Sequence, residues 1–126
     1  MREIKFRAWH KEKKIIGKVL GIDILHKEIY FSNENINCYE YTEFKDIELM
    51  QYTGLKDMRE KEIYEGDILF ESFGEKYYKV VFENGSFRAE FERDFEEYSF
   101  DLIDVVAQGC EIVGNIYENP ELLGGQ

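Results

Sequence analysis

The residue types that most often carry chemistry are sparse in this 126-residue chain, and their spacing matches no catalytic or metal-binding pattern. His10 and His26 have no serine or cysteine nucleophile beside them and no metal-ligand spacing. Cys38 and Cys110 stand far apart and lack the paired spacing of a zinc site. We therefore predict no catalytic residue, no metal ligand and no cofactor, and we interpret the chain as non-enzymatic.

Three carboxylates, those of Glu62, Glu65 and Asp67, come closest to a metal-binding or acid–base cluster. They alternate along a predicted strand and turn, without the ligand order of a calcium-binding loop. Solvated charge is the simpler interpretation of the group. Asp67 can also accept hydrogen bonds from backbone amides at the turn, which would fix the entry into the following strand.

The segment Leu49–Phe70 contains both of the tight bends that glycine makes easy, at Thr53-Gly54 and at Glu65-Gly66-Asp67. In the structural interpretation, which we favour, the apolar residues around these bends pack in the core and the bends direct strand entry. In the functional interpretation, the segment forms an exposed patch with tyrosine anchors that contacts a partner protein. The residues of that patch would be Tyr52, Lys56, Asp57, Tyr64 and Glu65.

The chain is acidic, with 27 Asp and Glu against 16 Lys and Arg and a net charge of −11. Residues 83–104 carry eight acids and two arginines, whereas residues 1–18 carry seven Lys or Arg and two Glu. An acidic surface over Glu90–Asp104, tested at Glu96, Glu97 and Asp101, could occupy a basic site on a host or phage protein.

The same charge balance argues against nucleic-acid binding, because an acidic protein repels the phosphate backbone. A nucleic-acid-associated factor remains the alternative function, and it would have to use the basic N-terminal segment. The candidate residues there are Lys5, Arg7, Lys11, Lys13 and Lys14. An enzyme whose site the sequence does not reveal is a third alternative.

Short alternating segments predict a mainly β protein with at most a short helix and a single domain over residues 1–126. EIKFRAW alternates as a first strand, and the segment after it, IIGKVLGIDIL, predicts a strand bent or bulged at Gly17 and Gly21. Asp46–Tyr52 predicts a strand that ends at Thr53-Gly54. With no apolar run near 18 residues and no signal segment, we expect a cytoplasmic protein that does not cross a membrane.

The clearest local signal is Asn84-Gly85, the preferred centre of a two-residue type I′ hairpin turn. The register that it sets pairs Phe82 with Phe87 and Val80 with Ala89, so that apolar partners share one face. Further on, Phe95, Tyr98 and Leu102 have helical spacing, and a short helix capped by Ser99 or Asp101 could end at Gly109. Cys110–Tyr117 predicts a closing strand with a bulge at Gly114.

Three blocks of sequence carry a family resemblance: REIKFRAWHKEKK at the start, LMQYTGLKDMREKEIYEGDIL in the middle and IVGNIYENPELL near the end. In type, order and spacing they resemble the YopX family of phage and prophage proteins. The resemblance implies a small SH3-like β-barrel with additional strands and no particular biochemical activity. The chain departs from the family pattern at Met58–Lys61, where a glycine- or asparagine-bearing turn is expected, so Asp57–Lys61 is predicted to form a looser turn or one helical turn.

From these observations we expect a non-enzymatic protein-interaction or regulatory module of phage type, acting on a host or phage protein. Fold alone does not assign function to so widely reused an architecture. Association of copies through unpaired strand edges, giving a homo-oligomer, stays open at this stage.

Overall fold

The computed structural model describes residues 3–33 and 38–124, and within them antiparallel strands dominate. The strands are β1 (Phe6–His10), β2 (Ile15–Asp23), β3 (Glu28–Asn33), β4 (Cys38–Glu43), β5 (Ile47–Lys56), β6 (Glu62–Tyr64), β7 (Asp67–Glu71), β8 (Lys76–Glu83), β9 (Ser86–Arg93), β10 (Glu96–Asp101) and β11 (Glu111–Asn115). The helices are α1 (Leu102–Gln108) and α2 (Glu121–Gly124), and Phe44–Asp46 forms one 3-10 turn. The predicted mainly β class is confirmed.

The strands form two antiparallel sheets, and no closed barrel is found in the described residues. In the sheet that contains β10 and β11, these two strands occupy opposite edges and do not pair with each other. The SH3-like barrel that the resemblance implied is therefore not confirmed. The chain divides into two compact units, Met1–Gln51 and Tyr52–Gln126, and the single domain stays a prediction.

In the first unit the strand order is β4-β3-β2-β1-β5. The predicted first strand is confirmed, although it begins at Phe6 and leaves Ile4 exposed. The predicted irregularity of β2 is also present, because its pairing with β3 shifts between Val19 and Gly21. The core of this unit consists of Ala8, Ile29, Phe31 and Ile47.

β5 does not end at Thr53-Gly54, so that prediction is wrong. The Thr53 hydroxyl donates to the Ile63 carbonyl at 2.7 Å and accepts from the Leu55 amide at 3.2 Å. Gly54 has a φ of 84°, and the pairing of β5 with β6 is irregular between Tyr52 and Lys56. Gly54 therefore forms a bulge in β5. The hydrogen bonds of the Thr53 hydroxyl connect the backbone across this bulge, so β5 pairs with β6 again at Lys56.

In the second unit the sheet order is β10-β9-β8-β7-β11, and the predicted β8–β9 hairpin is confirmed. Phe82 lies opposite Phe87 and Val80 opposite Ala89, as the Asn84-Gly85 turn requires. Both turn residues have positive φ, 51° and 82°, which is the type I′ conformation. Val80 and Ala89 are fully buried in the core of this unit.

Residues 93–109 confirm the helix prediction in part. α1 runs from Leu102 to Gln108, with Asp101 at the N-cap position and Gly109 at a φ of 94° after its end. The helical spacing of Phe95 and Tyr98 does not reflect a helix, because Phe95 lies in a turn and Tyr98 in β10. Pairing of Glu96–Asp101 with β9 supplies the backbone hydrogen bonds of this segment, and that pairing overrides the local spacing.

The closing strand and the turn that enters β7 follow the sequence predictions. β11 pairs with β7, and its register shifts between Ile112 and Gly114 at the predicted bulge. Asp67 accepts a hydrogen bond from the Tyr64 amide at 2.8 Å, across a turn in which Gly66 has a φ of 84°. Because Asp67 is buried, its interpretation as solvated charge is wrong and its role in the turn is confirmed.

Candidate functional site

The exposed patch predicted in the middle segment is not assembled as such. Tyr52 is 6% exposed and Asp57 4% exposed, so neither side chain presents a surface to a partner, and their predicted exposure is wrong. Tyr64 lies opposite Tyr52, with ring centroids 5.5 Å apart, and is half-buried, as is Glu65. Lys56 is the one exposed member of the five. The contact between the two tyrosine rings accounts for both residues without requiring contact with a partner protein.

Asp57 is instead the centre of a buried hydrogen-bond network. Its Oδ1 accepts from the amides of Arg59 and Lys61, both at 2.9 Å, and its Oδ2 accepts from the amide of Ile112 at 2.9 Å. Burial by itself raises the pKa of Asp57, but the three amide donors outweigh it and the pKa is lowered. One carboxylate therefore closes the turn and ties it to β11.

The turn after Asp57 is tight, so the prediction of a loose or helical turn is wrong. The Asp57 amide donates to the Lys61 carbonyl at 2.9 Å, and the Glu60 amide donates to the Asp57 carbonyl at 3.0 Å. Glu60 adopts the left-handed conformation, at a φ of 66°, that we expected only of glycine or asparagine. The hydrogen bonds from the Arg59 and Lys61 amides to the Asp57 carboxylate stabilise this tight turn, which a glycine would otherwise make easy to form.

The predicted acidic residues Glu96, Glu97 and Asp101 lie together on β10, an edge strand of the second unit's sheet. All six residues of β10 are exposed. β10 pairs with β9 on one side, starting at Arg93 opposite Glu96. An exposed strand edge offers backbone donors and acceptors to another extended chain. β10 is therefore the candidate functional site.

The backbone groups that face outward from β10 follow from the turn before it. Asp94 and Phe95 form a two-residue turn, which makes the flanking Arg93 and Glu96 a hydrogen-bonded pair. Hydrogen-bonded and non-hydrogen-bonded pairs alternate along an antiparallel ladder. The amides and carbonyls of Glu97 and Ser99 therefore point away from β9, toward the open edge.

One face of β10 carries carboxylates. Glu97 lies opposite Glu92, and Ser99 opposite Glu90. Burial raises the pKa of Glu90, and the nearby Glu83 charge raises it further, while Lys79 opposes the shift. A carboxyl group with this surplus of negative charge around it favours a cation from another molecule.

Asp101 differs from the other described acids of this face because it forms an ion pair with a cation of the sheet. The Arg88 guanidinium forms an ion pair with Asp101 and donates to the Ser99 hydroxyl at 3.0 Å. The charge of Asp101 is therefore partly neutralised. The unneutralised negative charge of the face lies toward Glu97 and Glu92.

The other face of β10 carries Glu96 at its start, which accepts a hydrogen bond from the Tyr98 hydroxyl at 3.0 Å, and is otherwise aromatic. Tyr98 and Phe100 are exposed and stack on Phe91, with ring centroids at 4.9 and 6.0 Å. Two cations, Lys76 Nζ and the Arg93 guanidinium, already lie over the Phe91 ring at 5.0 and 5.9 Å. Sequence reasoning missed this surface because it followed the helical spacing of Phe95, Tyr98 and Leu102, although strand alternation over Glu96–Asp101 would have shown it.

The turn before β10 holds a strained aromatic residue. Phe95 is 99% exposed and has a φ of 66°, in the position that glycine usually takes in a type I′ turn. A bulky side chain in this conformation costs about 1–2 kcal/mol. Burial does not offset this cost, because the ring is solvated.

Replacing Phe95 with glycine is therefore expected to raise the free energy of unfolding by about 1 kcal/mol, since glycine adopts this φ freely. Phe73 provides the matched control, because it is 100% exposed in the β7–β8 turn but is not among the described residues with positive φ. Urea unfolding of Phe95→Gly and Phe73→Gly compares the two. Equal effects of the two substitutions would contradict the assigned strain.

The basic N-terminal residues of the alternative function are partly paired with acids. Lys5 forms an ion pair with Glu3 at 2.9 Å. Lys11 forms one with Glu48 at 3.4 Å and donates to the Lys45 carbonyl. Arg7 is half-buried, whereas Lys13 and Lys14 are exposed in the β1–β2 turn. These pairs reduce the positive potential that a phosphate backbone would meet.

The histidines and the described cysteine have structural environments. His10 is buried, accepts from the Lys13 amide through Nδ1 at 3.1 Å and contacts the Phe31 ring edge-on. A 2.7 Å hydrogen bond to Asp23 raises the pKa of the exposed His26. Burial, with the charges of nearby Asp57 and Glu71, raises the pKa of Cys110 to about 11, which keeps its thiol protonated at neutral pH.

The part of the chain that the structure describes contains neither a metal-binding cluster nor a membrane-spanning helix. No three His, Cys, Asp or Glu side chains of residues 3–33 and 38–124 gather as a metal site. The side chain of Cys38 lies outside the described residues. In the helices that the structure describes, none has the length and apolar character needed to cross a bilayer.

Comparison with known proteins supports the family resemblance. The chain is similar to protein EF1440 from Enterococcus faecalis, whose crystal structure it matches with a TM-score of 0.66 and 26% identity, over 98% of this chain and 99% of that one. No curated protein matches the sequence. The model of the family described as YopX protein matches residues 5–124. Because that match covers nearly the whole sequence, the chain belongs to the YopX family.

Proposed function

We propose that this protein is a non-enzymatic interaction module, encoded by a phage or prophage, that acts in the bacterial cytoplasm. In this proposal, β10 binds an extended basic segment of a host or phage protein, which pairs with it as an additional strand. The observation that carries the proposal is a six-residue edge strand, exposed along its whole length, that presents Glu96, Glu97 and Asp101. Main-chain hydrogen bonds would supply affinity and the side chains would supply specificity.

Charge favours a basic partner over a second copy of the chain. Two copies of β10 paired antiparallel about Ser99 would bring Asp101 of each copy opposite Glu97 of the other. Like charges directly opposite each other destabilise a strand pair, and charged residues are a common protection of strand edges. A homo-oligomer formed through this edge in that register is therefore disfavoured, whereas lysine or arginine from another chain would be attracted.

Charge reversal tests the proposal. The wild-type chain should capture a host protein from lysate, and the variant Glu96→Lys, Glu97→Lys and Asp101→Lys should lose it. The three lysines would repel a basic segment and would remove the charge contacts that fix its register on β10. The matched control reverses three exposed acids outside β10, namely Glu12, Glu43 and Glu121. It carries the same net charge and should retain the protein. Retention of that protein by the β10 variant would overturn the proposal.

The alternative, a nucleic-acid-associated factor, makes a separate prediction. Binding through Lys13, Lys14 and the neighbouring basic residues would weaken steeply as salt is raised, because counterions are released on binding. Retention of labelled DNA and RNA is measured at low and moderate salt. No retention at low salt would remove this alternative. Salt-dependent retention lost in the double variant Lys13→Glu and Lys14→Glu would support it over the interaction module.

A further inference from the structure

We propose that β10 selects a partner strand in which basic and apolar residues alternate, with the basic side chains over the carboxylate face and the apolar side chains over the aromatic face. This inference rests on the proposed function and names the chemistry of the partner. It follows from the different composition of the two faces, since Glu97, Ser99 and Asp101 alternate with Tyr98 and Phe100 along the strand. A strand added at about 4.8 Å would place its side chains on the same two faces.

The carboxylate face sets where the partner's cation lies. Glu97 is next to Glu92 across the β9–β10 pair, and within residues 3–33 and 38–124 neither carboxylate has an ion pair of the kind that Arg88 gives Asp101. A lysine or arginine opposite Glu97 would meet two acids. A cation opposite Asp101 would compete with Arg88. The preference for a basic residue is therefore stronger at the Glu97 end of the strand than at the Asp101 end.

The aromatic face sets where the partner is apolar. Tyr98 and Phe100 stay exposed although they stack on the buried Phe91, so an apolar side chain here would remove ring surface from water. A basic side chain would lie near Lys76 and Arg93, which already lie over Phe91. Like-charge repulsion therefore disfavours the opposite alternation. A shift of one residue would exchange the two faces and lose both contacts.

Two labelled peptides with the same composition test the pattern on the full chain. One contains KVKVKV and the other KKKVVV, each between Gly-Ser flanks, and binding is followed by fluorescence anisotropy. The alternating peptide should bind about tenfold more tightly, because only its valines can all face Tyr98 and Phe100 while its lysines face the carboxylates. For this peptide, Glu97→Gln should weaken binding more than Asp101→Asn.

The outcomes separate this inference from the proposed function. Equal affinities for the two peptides, both lost in the triple lysine variant of β10, would overturn the alternation and leave the basic-strand function standing. Tighter binding of KVKVKV that the triple variant retains would place the peptide elsewhere and overturn both. Absence of binding by either peptide would also overturn both.

Discussion

Replacing Asp57 with alanine is expected to lower the free energy of unfolding by about 3 kcal/mol. The substitution leaves the amides of Arg59, Lys61 and Ile112 without their acceptor in a site that is nearly closed to water. It also removes the link between the turn and β11. Urea unfolding followed by circular dichroism measures the change. Asp104→Asn, at an exposed position in α1, is the control and should change stability by less than about 0.5 kcal/mol.

The same carboxylate makes stability depend on pH in a defined direction. The pKa of Asp57 is lower in the folded chain than in the unfolded chain, so its contribution is fully present above the unfolded value of about 3.9. The contribution is lost as the pH falls through the folded pKa. Asp57→Asn should therefore lose less stability than the wild-type chain on acidification below about pH 4. Parallel pH profiles of the two proteins would contradict the assigned role.

Replacing Gly17 with alanine is expected to destabilise the first unit by about 2 kcal/mol. A Cβ at this position would lie 2.4 Å from the Ser32 carbonyl oxygen and 2.6 Å from the buried Phe31 ring. The carbonyl belongs to the paired strand and the ring to the core, so neither can yield without disturbing the sheet. Trp9 is the single tryptophan of the chain and lies in this unit, so its fluorescence can report unfolding there.

Gly21 is the matched control on the same strand. The nearest atom to a Cβ there is Tyr30 Cβ at 3.9 Å, an ordinary contact. Gly21→Ala should therefore be neutral or slightly stabilising, by less than about 1 kcal/mol, because alanine loses less backbone freedom on folding. If Gly17→Ala and Gly21→Ala destabilise equally, close approach of β3 is not what requires glycine at position 17.

Local signals predicted the parts of the fold that local residues determine. The Asn84-Gly85 turn sets its hairpin register because two positive φ values are enough to specify it. The bulges of β2 and β11 were predicted near the glycines at which they occur. Gly54 was read as the end of a strand because sequence does not show that the Thr53 hydroxyl would bridge to Ile63.

The candidate site depended on contacts that local sequence does not encode. β10 was not predicted as a strand because Phe95, Tyr98 and Leu102 recur at helical spacing, whereas pairing with β9 decides its conformation. The Asp94-Phe95 turn carries no glycine signal, since a phenylalanine holds the strained position. The acidic character of Glu96, Glu97 and Asp101 was read correctly from composition, but their place on an open edge required the sheet order.

The buried role of Asp57 was out of reach for a related reason. Its bond to the Ile112 amide joins residues 55 positions apart, and nothing near Asp57 indicates that partner. The same residue was therefore read as an exposed contact. Residues that look accessible beside a glycine bend can thus be the ones that the fold buries.

Hydrogen exchange at individual amides of β10 tests the docking edge most directly. On saturation with the KVKVKV peptide, the amides of Glu97 and Ser99 should exchange at least about tenfold more slowly, because they point to the open edge and gain a strand partner. The amide of Tyr98 is bonded to β9 in the free protein and should change little. Peptide binding that leaves the Glu97 and Ser99 amides unprotected would contradict the proposal that β10 receives an added strand.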